Sequence, residues 1–179
     1  MIYVFLAEGF EEIEAVSTID VLRRAGARVT TVGIGGSLIK GAHGITVGCD
    51  ISEGTFVPDE GLEAVVLPGG MPGTLNLERS DTVRSAIKYA YENGKYICAI
   101  CAAPTILGHM GLLEGRSAVC YPGMESGLYG AEVPEKFVCT DGRIITARGP
   151  GASIAFGLEI AKQLAGADVN AMKGSLQCP

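Results

Sequence analysis

One cysteine is placed for chemistry. Ala99-Ile100-Cys101-Ala102-Ala103-Pro104 reads as a strand that ends at Cys101 and turns sharply into a helix. Such a nucleophile elbow holds one side chain up from the sheet. The turn crowds its neighbours, so small flanks are favoured. Ala99 and Ala103 supply them less fully than glycine would, and Pro104 suits the first helical turn, where its missing N–H is not needed. The positive end of the following helix is expected to lower the thiol pKa and favour an exposed thiolate, the nucleophilic and oxidisable form of cysteine. A buried structural thiol is the commoner role of a free cysteine; the strand-exit position argues for the reactive one. Cys98 completes a C-x-x-C spacing, but it lies three residues back inside the strand and reads as core rather than as half of a redox pair.

Glu14 is the second informative residue. On a wheel of about 3.6 residues per turn it shares a face with Thr18, Val21, Leu22 and Ala25, while Glu12, Asp20 and Arg23 point elsewhere. An inward carboxyl tends to keep its proton near neutrality. It could then donate to a thiolate or carry a proton during turnover. A plain acid at a helix start, like Glu11 and Glu12, fits the wheel equally well. Gly69 and Gly70 follow an apolar run, where they could bring backbone N–H groups up to a ligand as an oxyanion hole, or make an ordinary turn. Arg148-Gly149-Pro150-Gly151 leads into a helix and reads either as an anion or pocket lining or as a plain connector. His43 and His109 are the only histidines, and no spacing supplies the convergent ligands of a metal site or a Cys-His-Asp triad.

These residues need a frame. Ile2–Ala7, Ala64–Leu67 and Tyr96–Ile100 are continuous apolar runs of strand length, as expected of strands buried on both faces. Arg28 to Ile34 reads as a further strand, Ser37 to Val47 as a hairpin, Ser117 to Cys120 as a short strand, and Asp141-Gly142 as a second hairpin turn. Helices are expected over about Glu11 to Ala25, Ser80 to Asn93 with Ser80 as N-cap, Cys101 to Gly111, and Ala152 to Leu164. Strands alternating with helices imply an α/β, doubly wound, mostly parallel sheet. Its ligand sits beyond the strands' carboxyl ends, where Glu8-Gly9, Pro68-Gly69-Gly70, Cys101 and Arg148-Gly149-Pro150-Gly151 all fall.

With 179 residues the chain reads as one domain. Its formal charge of −6 and scattered basic residues argue against nucleic acid and anionic membrane as partners. No apolar run approaches the ~18 to 20 residues of a membrane span. The opening segment lacks the basic flank of a signal peptide. The six cysteines therefore read as reduced thiols and the compartment as cytoplasmic.

Together, Ala7-Glu8-Gly9-Phe10-Glu11-Glu12-Ile13-Glu14, Val65-Val66-Leu67-Pro68-Gly69-Gly70, the Cys101 elbow and Arg148-Gly149-Pro150-Gly151 resemble, in order and spacing, the ThiJ/PfpI superfamily. The nearest branch looks like the one with Parkinson disease protein 7 and bacterial ThiJ-like proteins. The resemblance implies a flavodoxin-like sheet sandwiched by helices, like that of class I glutamine amidotransferases, and a homodimer. It implies Cys101 as oxidisable nucleophile and Glu14 as the acid bonded to it, with the amides of Gly70 and Ala102 polarising a carbonyl oxygen. Gly149 and Pro150 would reach the partner's site, with Arg24 near the interface. The implied activity is glyoxalase or deglycase chemistry on methylglyoxal-like dicarbonyls or early glycation adducts, with no cofactor and no metal. The alternative is an oxidative-stress sensor or redox-regulated chaperone. Two positions depart from the pattern: Tyr121 stands where a histidine is usual, and His43 where another basic residue is usual. Ala102 and the absence of a late His and Glu argue against hydrolytic triad chemistry.

Overall fold

The structure, a computed structural model, describes residues 1–178. Its main sheet runs in the order β5 (Ile51–Ser52), β2 (Val29–Ile34), β1 (Ile2–Ala7), β6 (Ala64–Leu67), β7 (Tyr96–Ile100), β9 (Ile144–Ala147), β8 (Val138–Asp141). All neighbours are parallel except β8, which pairs antiparallel to β9 across the Asp141-Gly142 turn. The winding reverses between β1 and β6, the switch point at which doubly wound sheets bind ligands. β3 (Leu38–Lys40) and β4 (Thr46–Gly48) form a separate hairpin.

The central strands alternate their side chains between two apolar layers. Phe5, Val65, Leu67, Ile97 and Ala99 face one layer, closed by α2 (Gly73–Arg79), α3 (Asp81–Glu92) and α4 (Pro104–His109) through Leu77, Val83, Ile87, Ile106 and Leu107. Val4, Leu6, Val66, Cys98 and Ile100 face the other, closed by α1 (Glu12–Arg24) and α5 (Ser153–Ala165) through Ala15, Ile19, Leu22, Phe156 and Ile160. Cys98 is therefore core, as its strand position implies. Cys101 falls in the second layer, on the side of the sheet that carries α1. Ser80 caps α3 by accepting the Val83 N–H at 3.3 Å.

Three differences from the sequence expectation have local causes. Ser117 to Cys120 makes a single bridge, Ser117 to Glu132, instead of a strand, because its amides are taken elsewhere: Ser117 N donates to Asp141 and Val119 N to Thr146 Oγ1. The helix after Cys101 begins only at Pro104, after a three-residue turn. Beyond α5 the chain adds α6 (Val169–Leu176), whose first amides at Asn170 and Ala171 donate to Asp168. All six cysteines are free. Among the described residues no helix is long and apolar enough to cross a membrane.

Candidate functional site

The exits of β1, β6 and β7 meet at one point. The loop after β1 and the loop after β6 are laced together, with Glu11 N donating to Gly69 O at 2.9 Å and Gly73 N to Gly9 O at 3.1 Å. Only glycine fits this junction. Gly9 and Gly70 have φ of +85° and +92°, and a Cβ on either would meet neighbouring backbone within 2.7 Å. Gly69 lies closest to the chemistry. A methyl group there would sit 2.7 Å from Cys101 Cβ and 2.8 Å from Glu14 Oε2, so these two side chains converge on the same small space.

Cys101 adopts φ +65°, a left-handed conformation that is rare and strained for a residue with a Cβ. The surroundings hold it there: Cys101 N donates to Ala147 O at 2.9 Å, and Cys101 O accepts from Tyr121 N at 2.7 Å. Such over-determined strain is typical of functional positions. The residue is only 9% exposed, so the expectation of an exposed thiol is corrected: the elbow lifts Cys101 out of the sheet, but α1 and the glycine loop close around it.

Glu14 is fully buried in the first turn of α1. Gly69 N donates to its Oε2 at 2.7 Å, and Oε1 has no hydrogen-bond partner. Burial raises its pKa to about 7, opposed by the adjacent Cys101 thiol and the Gly69 amide and assisted by the charge of Glu11. Burial likewise pushes the Cys101 thiol up to about 12, with the Glu14 charge and its hydrogen bond adding to the rise, while the amides of Ala102 and Gly70 pull the other way. The helix-dipole expectation of an acidic thiol is thus corrected, since desolvation and a neighbouring carboxylate outweigh two amides. Two groups this close titrate as a pair. Burial raises both groups, so the pair shares a single proton on the alkaline side of neutrality. The amides aimed at sulfur favour a thiolate with the proton on Glu14; the Gly69 amide favours the opposite arrangement.

Residues farther out divide into those near the elbow and those away from it. Tyr121 is bound to Cys101 through its backbone and packs against Gly149. With Pro122, Phe137, Arg148 and Pro150 it lines a shallow, mainly apolar pocket of about 210 Å³ beside the elbow. Arg148 donates its N–H to Phe137 O at 3.0 Å and holds its guanidinium 6.0 Å from the Phe137 ring centre. Arg24 is remote: it is ten residues beyond Glu14, about 15 Å along the helix, exposed and paired with Asp20 at 2.6 Å.

His43 lies on the β3–β4 hairpin, with Nδ1 2.9 Å from Glu12 Oε2 and 3.3 Å from Glu11 Oε2. Glu12 Oε1 also accepts from the amides of His43 and Ile45. Glu11 and Glu12 are thus buried, although the wheel pointed Glu12 outward. Among the described residues this trio alone gathers three ligand-type atoms within 4.8 Å, but each is engaged by the others. A sequence signal for it exists only in hindsight, in two consecutive acids ahead of Glu14 and a lone histidine in a glycine-rich turn.

Residues 1–163 match the family described as DJ-1/PfpI. The chain belongs to the DJ-1/PfpI family. It is 40% identical over 166 residues to protein dj-1beta of Drosophila melanogaster, covering 91% of this chain and 88% of that one. It is 31% identical over 166 residues to a Pyrococcus abyssi protein named as a deglycase, covering 91% and 98%. The oxidized DJ-1 of Toxoplasma gondii superposes with a TM-score of 0.93 at 33% identity, covering 99% of this chain and 97% of that one. The flavodoxin-like fold expected from the sequence is that of these DJ-1/PfpI structures.

Proposed function

We propose that this DJ-1/PfpI protein is a cysteine-dependent, cofactor-free enzyme that converts methylglyoxal-like dicarbonyls, or their early adducts on amines and thiols, to hydroxy acids. The observation that carries the reading is a fully buried carboxyl packed against a strained elbow cysteine, its pKa raised by burial to about 7. A carboxyl with that pKa both gives and takes protons near neutrality. The relative named as a deglycase supports the same chemistry.

The steps balance without an external oxidant. Cys101 sulfur adds to the aldehyde carbon, and the carbonyl oxygen takes a proton to give a hemithioacetal. The Gly70 and Ala102 amides, now directed at sulfur, are close enough to polarise that oxygen as it forms. Glu14 removes the proton from the former aldehyde carbon, and the adjacent ketone carbon regains one through an enediol. The first carbon is thereby oxidised to a thioester and the second reduced to an alcohol. Water then cleaves the thioester, giving lactate and restoring the thiol. Tyr121, standing where the family often has histidine, leaves Glu14 as the proton carrier. Burial of Cys101 favours a small electrophile over a bulky one.

Purified protein with methylglyoxal and no glutathione is expected to form lactate, and Cys101→Ala is expected to show none. Equal rates for the two proteins would overturn the assignment. Absence of turnover, with Cys101 gaining two oxygens under peroxide before any other cysteine, would establish the sensor role instead.

A second copy of the chain is the proposed partner. Ile13 and Val16 of α1, Ile45 of the hairpin and Ile154 of α5 are all exposed apolar residues on neighbouring elements. Light scattering is expected to give about twice the 18.5 kDa of one chain. A mass of 18.5 kDa would remove the dimer from the proposal.

A further inference from the structure

The trio on the hairpin side of α1 is connected to the acid of the site. Glu11 is the N-cap residue just ahead of α1, three residues before Glu14. They straddle Gly69, whose O accepts from Glu11 N and whose N donates to Glu14 Oε2. Glu11 is only 8% exposed, and its ion partner is His43. Glu12 fixes the imidazole in place through His43 Nδ1 and through the His43 and Ile45 amides. The charged and titratable groups acting on Glu14 are Glu11 from its own helix and Cys101 from the turn after β7. Those acting on His43 are Glu11 and Glu12.

We infer that His43 is a positioning residue for Glu14: its imidazolium, clasped by Glu11 and Glu12, offsets the Glu11 charge and so sets the pH at which Glu14 changes from acid to base. The direction follows from the like-charge rule. An uncompensated Glu11 carboxylate makes Glu14 hold its proton more tightly, and a charged His43 relieves that. Both neighbours raise the His43 pKa, so the cation persists to higher pH than on an isolated histidine. When pH finally removes it, Glu14 is pushed upward in turn. The two titrations spread each other apart, and Glu14 acts as a proton carrier over a wider pH range than a lone carboxyl would.

The inference rests on the proposed role of Glu14 only for its catalytic consequence, so its test needs no turnover. In protein labelled with carbon-13 glutamate, the Glu14 carboxyl carbon is followed by NMR against pH and assigned by its loss in Glu14→Gln. His43→Gln keeps the backbone bonds to Glu12 and changes a side chain that is 71% exposed, so folding is preserved. It is expected to raise the Glu14 midpoint by about half a unit or more. Glu11→Gln is expected to lower the midpoint, the opposite direction to His43→Gln. An unmoved or lowered midpoint in His43→Gln, or a midpoint that Glu11→Gln fails to lower, overturns the inference. Neither result bears on whether Cys101 consumes methylglyoxal, which the lactate assay decides separately.

Discussion

Glu14→Leu is expected to abolish turnover and to leave a Cys101 thiol that ionises about one pH unit or more above that of Glu14→Gln. The two variants separate charge from hydrogen bonding. Both remove the carboxylate whose charge holds the thiol proton in place. Only Gln keeps a donor for the sulfur, and a hydrogen bond to a charged group contributes ~1.5 to 3 kcal/mol. Gln is nevertheless expected to be inactive, because an amide cannot ferry a proton between adjacent carbons. Thiolate absorbance against pH, corrected with Cys101→Ala, measures the difference; identical curves for Leu and Gln would mean that Glu14 does not touch the sulfur. In the unaltered protein the sign of the pH dependence is set by the pair. Below about 7 both protons are present and the sulfur is a poor nucleophile, so the rate is expected to fall as pH drops through that value.

Gly69→Ala is the second large effect, on the order of a hundredfold in kcat/KM, with stability lowered by only ~1 to 3 kcal/mol. The added methyl would lie 2.7 Å from Cys101 Cβ, 2.8 Å from Glu14 Oε2 and 3.0 Å from Ile100 O. Backbone at Ile100 yields least, so the displacement falls on the two reacting side chains, which must move apart. A proton passed between them then travels farther, and misplacement of about 1 Å commonly removes two orders of magnitude. A variant that melts a few degrees lower but turns over within about threefold of the parent would show that the spacing of the pair does not matter.

The frame of the site was legible because it depends on short-range pattern. Ile2–Ala7, Ala64–Leu67 and Tyr96–Ile100 are apolar without interruption because they are buried on both faces, and such runs admit few other readings. The wheel likewise placed Glu14 on the inward face, with Thr18, Val21 and Leu22, all of which are buried. What failed depended on partners distant in sequence. Glu12 faces outward on the helix alone, but the hairpin carrying His43, 31 residues later, covers it. Ser117 to Cys120 has strand composition, yet Asp141 and Thr146 side chains take its amides before a ladder can form. The acidic thiol expected from a helix start gave way to desolvation, which depends on how closely the glycine loop and α1 approach. No local rule supplies that distance.

The clamp on Cys101 has a consequence for motion. Its left-handed backbone is held by β9 on one side and by the Tyr121 amide on the other, and these two segments are themselves joined where Val119 N donates to Thr146 Oγ1. Relaxing the elbow requires both to let go together, so its strain cannot leak away through the fraying of a single loop. The nucleophile is thereby coupled to the cooperative unit of the central sheet, and its amide should exchange with solvent only when that unit opens.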